Sequence, residues 1–454
     1  MSALNRCPAA DGVYRNGLCQ CRCIYNIRHM KDLNPQTAET SFKHSLLSFA
    51  IWLLLAIPIG VLAGSASAFF LTLLNWVTNF RETHHWIIAL LPLGGLIIGL
   101  AYYYFGESVV KGNNLLLEEL HSPKQVIPLK MAPLVLFGTL VTHLFGGSAG
   151  REGTAVQMGG AIADQFTKWF NLNDTYRKAI IIMGISAGFA SVFGTPLAGA
   201  VFAVEVMALG NTRYKALLPS LLVAYIAHYT CALWQVSHTH YSIPLVPNLQ
   251  PNGLLWTVFC GIVFGLAAML FSKSVHYFTE LFKKVIGYPP LRPVIGGVVI
   301  ALAVWALGTT KYIGLGIPTI VNSFTLEQPV YACALKLLLT TFTLGAGFKG
   351  GEVTPLFFIG ATLGNALFLF VPLPLALLAG MGFVAVFSGA TNTPVACTLM
   401  GIELFGLQCG LYIGIACLVA YLFSGHTGIY ASQVIGGPKP ILYRKIKAKW
   451  HKEL

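Results

Sequence analysis

Apolar segments follow one another from Leu46 to Leu422 with only short connections between them. They fall at 46–79, 87–105, 131–146, 179–206, 216–234, 253–272, 293–308, 330–347, 354–371, 373–387, 394–406 and 410–423. Backbone surrounded by lipid must satisfy its own polar groups, so such a chain can form helices or a closed barrel and little else. The runs have helical rather than strand length, which gives an all-α integral membrane protein. Composition agrees: 10% of the 454 residues are charged and 56% are hydrophobic. An ordinary globular protein carries roughly 25% charge, and a soluble surface cannot be covered with less than half of that. A disordered chain, a nucleic-acid binder and a cytosolic enzyme are excluded.

Several runs are shorter than the ~20 residues that a spanning helix needs. Many are interrupted by Gly and Pro, of which the chain has 47 and 23. Short or broken hydrophobic segments are tolerated where irregular backbone is buried in protein or lines a watery path. That pattern belongs to a transport protein rather than a simple bundle.

The net charge of +13 is concentrated at the ends. Arg6, Arg15, Arg22, Arg28, Lys31 and Lys43 precede the apolar region, and Lys439, Arg444, Lys445, Lys447, Lys449 and Lys452 follow it. Basic flanks of this kind place both tails, 1–44 and 438–454, in the cytoplasm, with an even number of crossings between them. Cys7, Cys19, Cys21 and Cys23 cluster in the first tail without the spacing of a known zinc site, so no metal is assigned. Cys231, Cys260, Cys333, Cys397, Cys409 and Cys417 stand singly in apolar surroundings as small hydrophobes. The N-terminal tail is read as poorly ordered, and no cofactor is implied.

The apolar region repeats itself. LVLFGTLVTHLFGGSAGREGT (134–154) matches LKLLLTTFTLGAGFKGGEVT (335–354), each ending in Glu, a gap of one residue, and Thr. GFASVFGTPLAGAVFAVE (188–205) matches GFVAVFSGATNTPVACTLMGIE (382–403), each with a Thr-Pro pair followed by a Glu. Two homologous halves result, about 45–235 and 250–437. Their relative direction is not legible in the letters.

Four carboxylates, Glu152, Glu205, Glu352 and Glu403, fall inside or at the edge of apolar segments, where ionisable groups default to function. Glu205 and Glu403 read as well inside their helices, satisfied by nearby backbone N–H groups or hydroxyls. Glu152 differs because GGSAGREGT leads directly into an apolar helix. Glycines let backbone approach a ligand, and a helix N-terminus offers unpaired N–H groups and positive potential. A carboxylate there is a tethered anion: charged it occupies the site, protonated it can leave. Glu352 lies in KGGEVTP, where Thr354 is expected as N-cap and Pro355 as first helical residue. Two such helix starts, one from each half, can converge on one anion.

Two soluble-enzyme patterns carry little weight. Gly146, Ser148 and Gly150 spell G-x-S-x-G, but an apolar helix, not a strand, precedes them. Gly345, Gly347 and Gly350 spell G-x-G-x-x-G without a βαβ unit. A hydrolase built on Ser148 with His143 or His228 would also lack a paired acid.

GREG at 150–153, GGEVTP at 350–355, GLGIP at 314–318 and the Thr-Pro repeats together resemble the CLC family of anion channels and proton-coupled antiporters. The resemblance runs from about residue 45 to 437. It implies inverted repeats, roughly eighteen tilted and broken helices, and a homodimer with one pore per subunit. It assigns Glu152 as the gating glutamate, flanked by Gly150 and Gly153, and Tyr430 in SGHTGIY as a tyrosine whose hydroxyl faces the anion. Where chloride-selective members carry a serine, this chain has Asn113, followed by Asn114. The second-half turn brings Glu352, Val353 and Thr354. Val206 stands where bacterial chloride–proton antiporters have a second glutamate, and Thr154 replaces a proline after GREG.

These departures resemble the fluoride-exporting branch, in which fluoride leaves a bacterial cell across the inner membrane against protons. Fluoride is strongly hydrated, so its site needs strong donors, and the Asn113 or Asn114 amides with the Thr354 and Tyr430 hydroxyls supply them. Glu352 suits an anion neighbour only when it carries a proton, and it is expected to share in proton handling. A chloride channel or chloride–proton antiporter of the same fold is the alternative.

Overall fold

A computed structural model describes residues 35–207, 212–434 and 439, with side chains at 52–207, 216–434 and 439. The cysteine cluster at 7–23 and all the tail cations except Lys43 and Lys439 lie outside the described residues; Lys43 is described in backbone only. The chain divides into two units, residues 1–54 and 55–454. Of the first, the described part is the start of helix α1, Pro35–Thr83.

Among the described residues there are sixteen α-helices and three short 3-10 helices, with no strand. The first eight are α1, α2 (Leu91–Phe105), α3 (Asn113–His121), α4 (Met131–Leu144), α5 (Glu152–Trp169), α6 (Asp174–Phe193), α7 (Pro196–Glu205) and α8 (Thr212–Leu233). The second eight are α9 (Pro251–Val285), α10 (Leu291–Leu307), α11 (Ile317–Asn322), α12 (Ala332–Gly345), α13 (Val353–Leu367), α14 (Leu375–Thr391), α15 (Pro394–Phe405) and α16 (Gly410–Phe423). Each helix of the first series has a counterpart in the second, in the same order. Five described spans are long and apolar enough to cross a bilayer: 52–83, 85–105, 174–193, 216–233 and 251–285. Shorter apolar helices lie at 131–144, 196–205, 291–307, 332–345, 353–367, 375–391, 394–405 and 407–423, as the interrupted runs predict.

The interruptions occur at equivalent places. The apolar run 179–206 reads as continuous, but Gly194 turns left-handed (φ 74°) and Pro196 starts a new helix. In the second half Asn392 (φ 59°) and Pro394 make the same break. Proline lacks the N–H that a continuing helix would need, yet fits the first turn of the next one.

The two short helices that follow these breaks fix the relation between the halves. Glu205, the last residue of α7, accepts hydrogen bonds from Val395 N (3.1 Å) and Ala396 N (2.8 Å) at the start of α15. Glu403, near the end of α15, accepts from Leu197 N (3.0 Å) and Ala198 N (2.7 Å) at the start of α7. Each C-terminal carboxylate caps the other helix's N-terminus, so α7 and α15 lie antiparallel. Both glutamates are structural, as expected, but they sit at helix ends and bond across the halves rather than to nearby backbone.

Helices within each half pack through small residues. A methyl group on Gly159 would lie 2.3 Å from the Gly184 carbonyl oxygen, and one on Gly360 would lie 2.0 Å from that of Gly382. Lipid tails are as apolar as leucine, so helix association in a bilayer depends on such close approach more than on hydrophobic transfer. Between the halves, Phe387 stacks near Phe202 (5.7 Å) and Phe189 (6.3 Å), and Phe357 meets Phe193 edge-on (5.2 Å).

A buried ionic network holds α3 against this frame. Arg177 of α6 donates twice to Asp164 of α5 at 2.9 Å and pairs with Glu119 of α3 at 3.1 Å. Asp164 also accepts from Ile127 N (2.8 Å) and Thr167 Oγ1 (3.0 Å). Lys439, expected as part of a solvated basic tail, is buried instead. Its ammonium donates to Asn392 Oδ1, Ser424 Oγ and Gly425 O and lies 4.3 Å from the Tyr421 ring centroid, and burial lowers its pKa to about 8.

Candidate functional site

The two Gly-rich turns meet at one point. Gly150 N donates to Gly351 O at 2.6 Å, and Gly351 N returns the bond to Gly150 O at 2.8 Å. A methyl on Gly351 would lie 2.7 Å from Gly153 N, so the approach requires glycine. The exchange is antiparallel. It brings the N-termini of α5 and α13 together, one from each half.

Glu152, the first residue of α5, reaches across this junction and is 1% exposed. Its carboxylate accepts from Thr354 N at 3.0 Å and from Thr354 Oγ1 at 2.6 and 2.7 Å. Arg151 N adds a bond at 3.2 Å, and Arg151 Nε lies 3.5 Å from Oε1. The carboxylate thus occupies the N-terminus of the other half's helix, where a free anion would be stabilised by the same donors.

This contact corrects the expected start of α13. The helix begins at Val353 with Glu352 as N-cap, two residues earlier than the Thr354–Pro355 reading. Thr354 has no need to cap its own helix, because its hydroxyl and N–H both serve Glu152. Pro355 falls in the first turn, where an N–H has no helical partner to lose.

Asn113 opens α3 and Glu352 caps α13; both approach Gly153. From the point where a Gly153 Cβ would sit, Asn113 Nδ2 is 3.1 Å away and Glu352 Oε2 is 3.7 Å away. Asn113 Oδ1 and Glu352 Oε2 are buried without a hydrogen-bond partner. Both residues line a polar cavity of ≈340 Å³ together with Asn114, Gly350 and Tyr430. Tyr430 is 8% exposed. The Asn114 side chain also braces this wall, because its Oδ1 accepts from Ser432 N at 3.0 Å and ties the segment carrying Tyr430 to α3. A hollow of only ≈20 Å³, walled by Leu116, Leu117, Val156, Ile185 and Phe202, separates Asn113 and Tyr430 from Val206.

The structure therefore brings Glu152, Gly150, Gly153, Val353, Thr354, Glu352, Asn113 and Tyr430 to one place, with Asn114 at its edge. The enzyme-like triad is not assembled. Ser148 Oγ bonds Tyr312 O (3.1 Å) and Thr340 Oγ1 (2.8 Å), while both His143 ring nitrogens face the carbonyls of Thr139 and Ala149. Residue patterns missed two buried cations and one half-buried cation near the Gly-rich turns. Lys336 Nζ donates to Gly314 O (2.6 Å) and Tyr312 O (3.3 Å), Arg81 to His143 O (3.1 Å), and Lys349 lies over the Tyr102 ring. A lysine inside an apolar run or a glycine turn is the signal that could have found Lys336 and Lys349.

Paired broken helices, reciprocal capping between halves and an anion-like carboxylate on a helix N-terminus define a membrane transport protein of the CLC fold. The chain belongs to the voltage gated chloride channel family, whose model matches residues 94–425. It is 54% identical over 396 residues to the chloride/fluoride channel protein of Pseudomonas syringae pv. tomato, covering 86% of this chain and 88% of that one. The crystal structure of a CLC-type fluoride/proton antiporter superposes with a TM-score of 0.83 at 37% identity, covering 85% of this chain and 98% of that one. A slow cyanobacterial Cl⁻/H⁺ antiporter matches in fold, with a TM-score of 0.74 at 21% identity over 88% of this chain and 99% of that one.

Proposed function

We propose that this protein exports fluoride in exchange for protons and so confers fluoride resistance. It works as a homodimer in a bacterial inner membrane, with both termini in the cytoplasm. The observation that carries the reading is the seat of Glu152 on Thr354 at the start of α13. In its charged form the side chain fills the anion position. A proton removes the charge that those donors hold, the side chain leaves, and a free anion takes the same donors. The 2.6 Å hydroxyl contact and the adjoining N–H suit a small, strongly hydrated anion that must be repaid for its lost water. Asn113 and Tyr430 line the path between this seat and the cavity. Glu352, with an unpartnered oxygen facing the same cavity, exchanges protons with Glu152 in place of the residue missing at Val206. The relatives named for fluoride, one a channel protein and one an antiporter, support the anion.

The test is reconstitution in liposomes with ion-selective electrodes. Fluoride efflux should exceed chloride efflux, a proton gradient should drive fluoride uphill, and Glu152→Ala should abolish the coupling. Equal chloride flux would instead support a chloride channel or chloride–proton antiporter. Glu352→Gln should slow proton-coupled fluoride movement; unchanged coupled flux would remove it from the mechanism.

A further inference from the structure

A groove of ≈930 Å³ opens between α10 and the short 3-10 helix His85–Leu90 that precedes α2. Its shape follows from how α2 and α10 cross. A methyl on Gly99 would lie 2.8 Å from Pro290 O, one on Gly95 2.4 Å from Pro293 O, and one on Gly297 2.9 Å from Leu91 O. The two helices are therefore antiparallel, and the C-terminal turns of α10 run past the start of α2 to face the 3-10 helix.

This register grades the groove along its length. Pro92, Val298 and Leu302 wall one end; His85, Thr310 and Lys311 wall the other. The change in polarity falls where α10 ends at Leu307 and Gly308 turns the chain left-handed (φ 61°). Trp86 and Trp305 stand beside the polar end, 64% and 83% exposed. Tryptophan collects at the level of lipid headgroups, and a lysine just past an apolar helix reaches the same level. Lys311 is exposed, and no acid lines the groove. Glu82, three residues before His85, is paired with Arg81 at 3.2 Å. An apolar trough that ends in a cation without a counter-charge complements an amphiphile with a negative head.

We propose that the groove holds one anionic phospholipid, its phosphate against Lys311 with His85 beside it, and its acyl chain running past Trp305 toward Val298 and Pro92. The inference does not depend on which anion the protein carries. The volume is at the upper end of small-molecule sites, about 300–1,000 Å³. The turn that carries Lys311 is also a joint between the halves. Tyr312 O accepts from Ser148 Oγ at 3.1 Å and from Lys336 Nζ at 3.3 Å, and Gly314 N donates to Gly147 O at 3.1 Å. A headgroup fastened to Lys311 steadies this joint.

The experiment uses the purified full chain in mild detergent, titrated with phosphatidylglycerol or phosphatidylcholine while native mass spectrometry counts the retained lipids. Wild type should hold one phosphatidylglycerol about fivefold more tightly than phosphatidylcholine, the effect of one cation near a membrane surface. Lys311→Gln should erase that preference and Lys311→Arg should keep it, while Trp305→Ala should weaken both lipids alike. Phosphatidylglycerol should raise the unfolding temperature of wild type more than that of Lys311→Gln. Equal retention of the two lipids by wild type, or a preference or thermal gain undiminished in Lys311→Gln, overturns the proposal. So does displacement of the lipid by glycerol phosphate, which would mark a site for free phosphate. A Trp305→Ala protein that falls from dimer to monomer with its lipid retention unchanged would also overturn it, because the groove would then be a contact between copies.

Discussion

Replacing Thr354 with valine isolates the bond on which the transport reading depends. Valine keeps the volume and the backbone N–H and removes the hydroxyl, which lies 2.6 and 2.7 Å from the two Glu152 carboxylate oxygens in a place only 4% exposed. A hydrogen bond to a charged group is worth about 1.5–3 kcal/mol. At 1.4 kcal/mol per factor of ten, the seated form should lose about 10- to 100-fold relative to the displaced one. Thr354 N at 3.0 Å and Arg151 N at 3.2 Å remain, so the seat weakens without disappearing. Fluoride and proton movement recorded together from liposomes should then show more fluoride released per proton, because the anion no longer waits for Glu152 to be protonated. Thr354→Ser should behave almost as wild type. A Thr354→Val protein with unchanged rate and coupling would refute the argument. So would one with slower flux but intact coupling, since the hydroxyl would then serve the anion and not the carboxylate.

Glu403→Ala strands the N–H groups of Leu197 and Ala198, and Glu205→Ala those of Val395 and Ala396. Each should destabilise the detergent-solubilised protein by about 1–3 kcal/mol; thermal unfolding that moves for one and not the other contradicts reciprocal capping. Gly360→Ala drives a methyl to 2.0 Å from the Gly382 carbonyl oxygen, whereas Gly287→Ala meets nothing within 4 Å. The first should cut the monodisperse yield sharply, at a cost of about 1–3 kcal/mol or more, and the second should leave it unchanged. Asp164→Asn removes the buried counter-charge of Arg177, leaving Glu119 as its carboxylate partner. A loss of about 3–5 kcal/mol is expected in chemical unfolding, and normal stability would show that Glu119 alone suffices.

Much of the site was legible in one dimension because a bilayer makes each polar choice costly. With 16 acids in 454 residues, a carboxylate in an apolar run stands out, and the internal repeat singles out Glu152 with Glu352 and Glu205 with Glu403. The local start of α13 was misread because Thr354 and Pro355 form a sound capping pattern when nothing else competes for the threonine. Glu152, 202 positions away in sequence, does compete for it.

The sequence by itself determined that the chain lives in a membrane, that it is built twice, and which glycines and carboxylates are set apart. Those properties follow from composition and local spacing, which act wherever the chain is placed. Only the tertiary structure decided that the halves oppose each other. It also decided that α7 and α15 are capped by each other's glutamates, and that the Glu152 carboxylate rests on Thr354 of the other half. These are pairings between distant segments, selected by unsatisfied helix termini that water cannot reach and that only another part of the protein can satisfy.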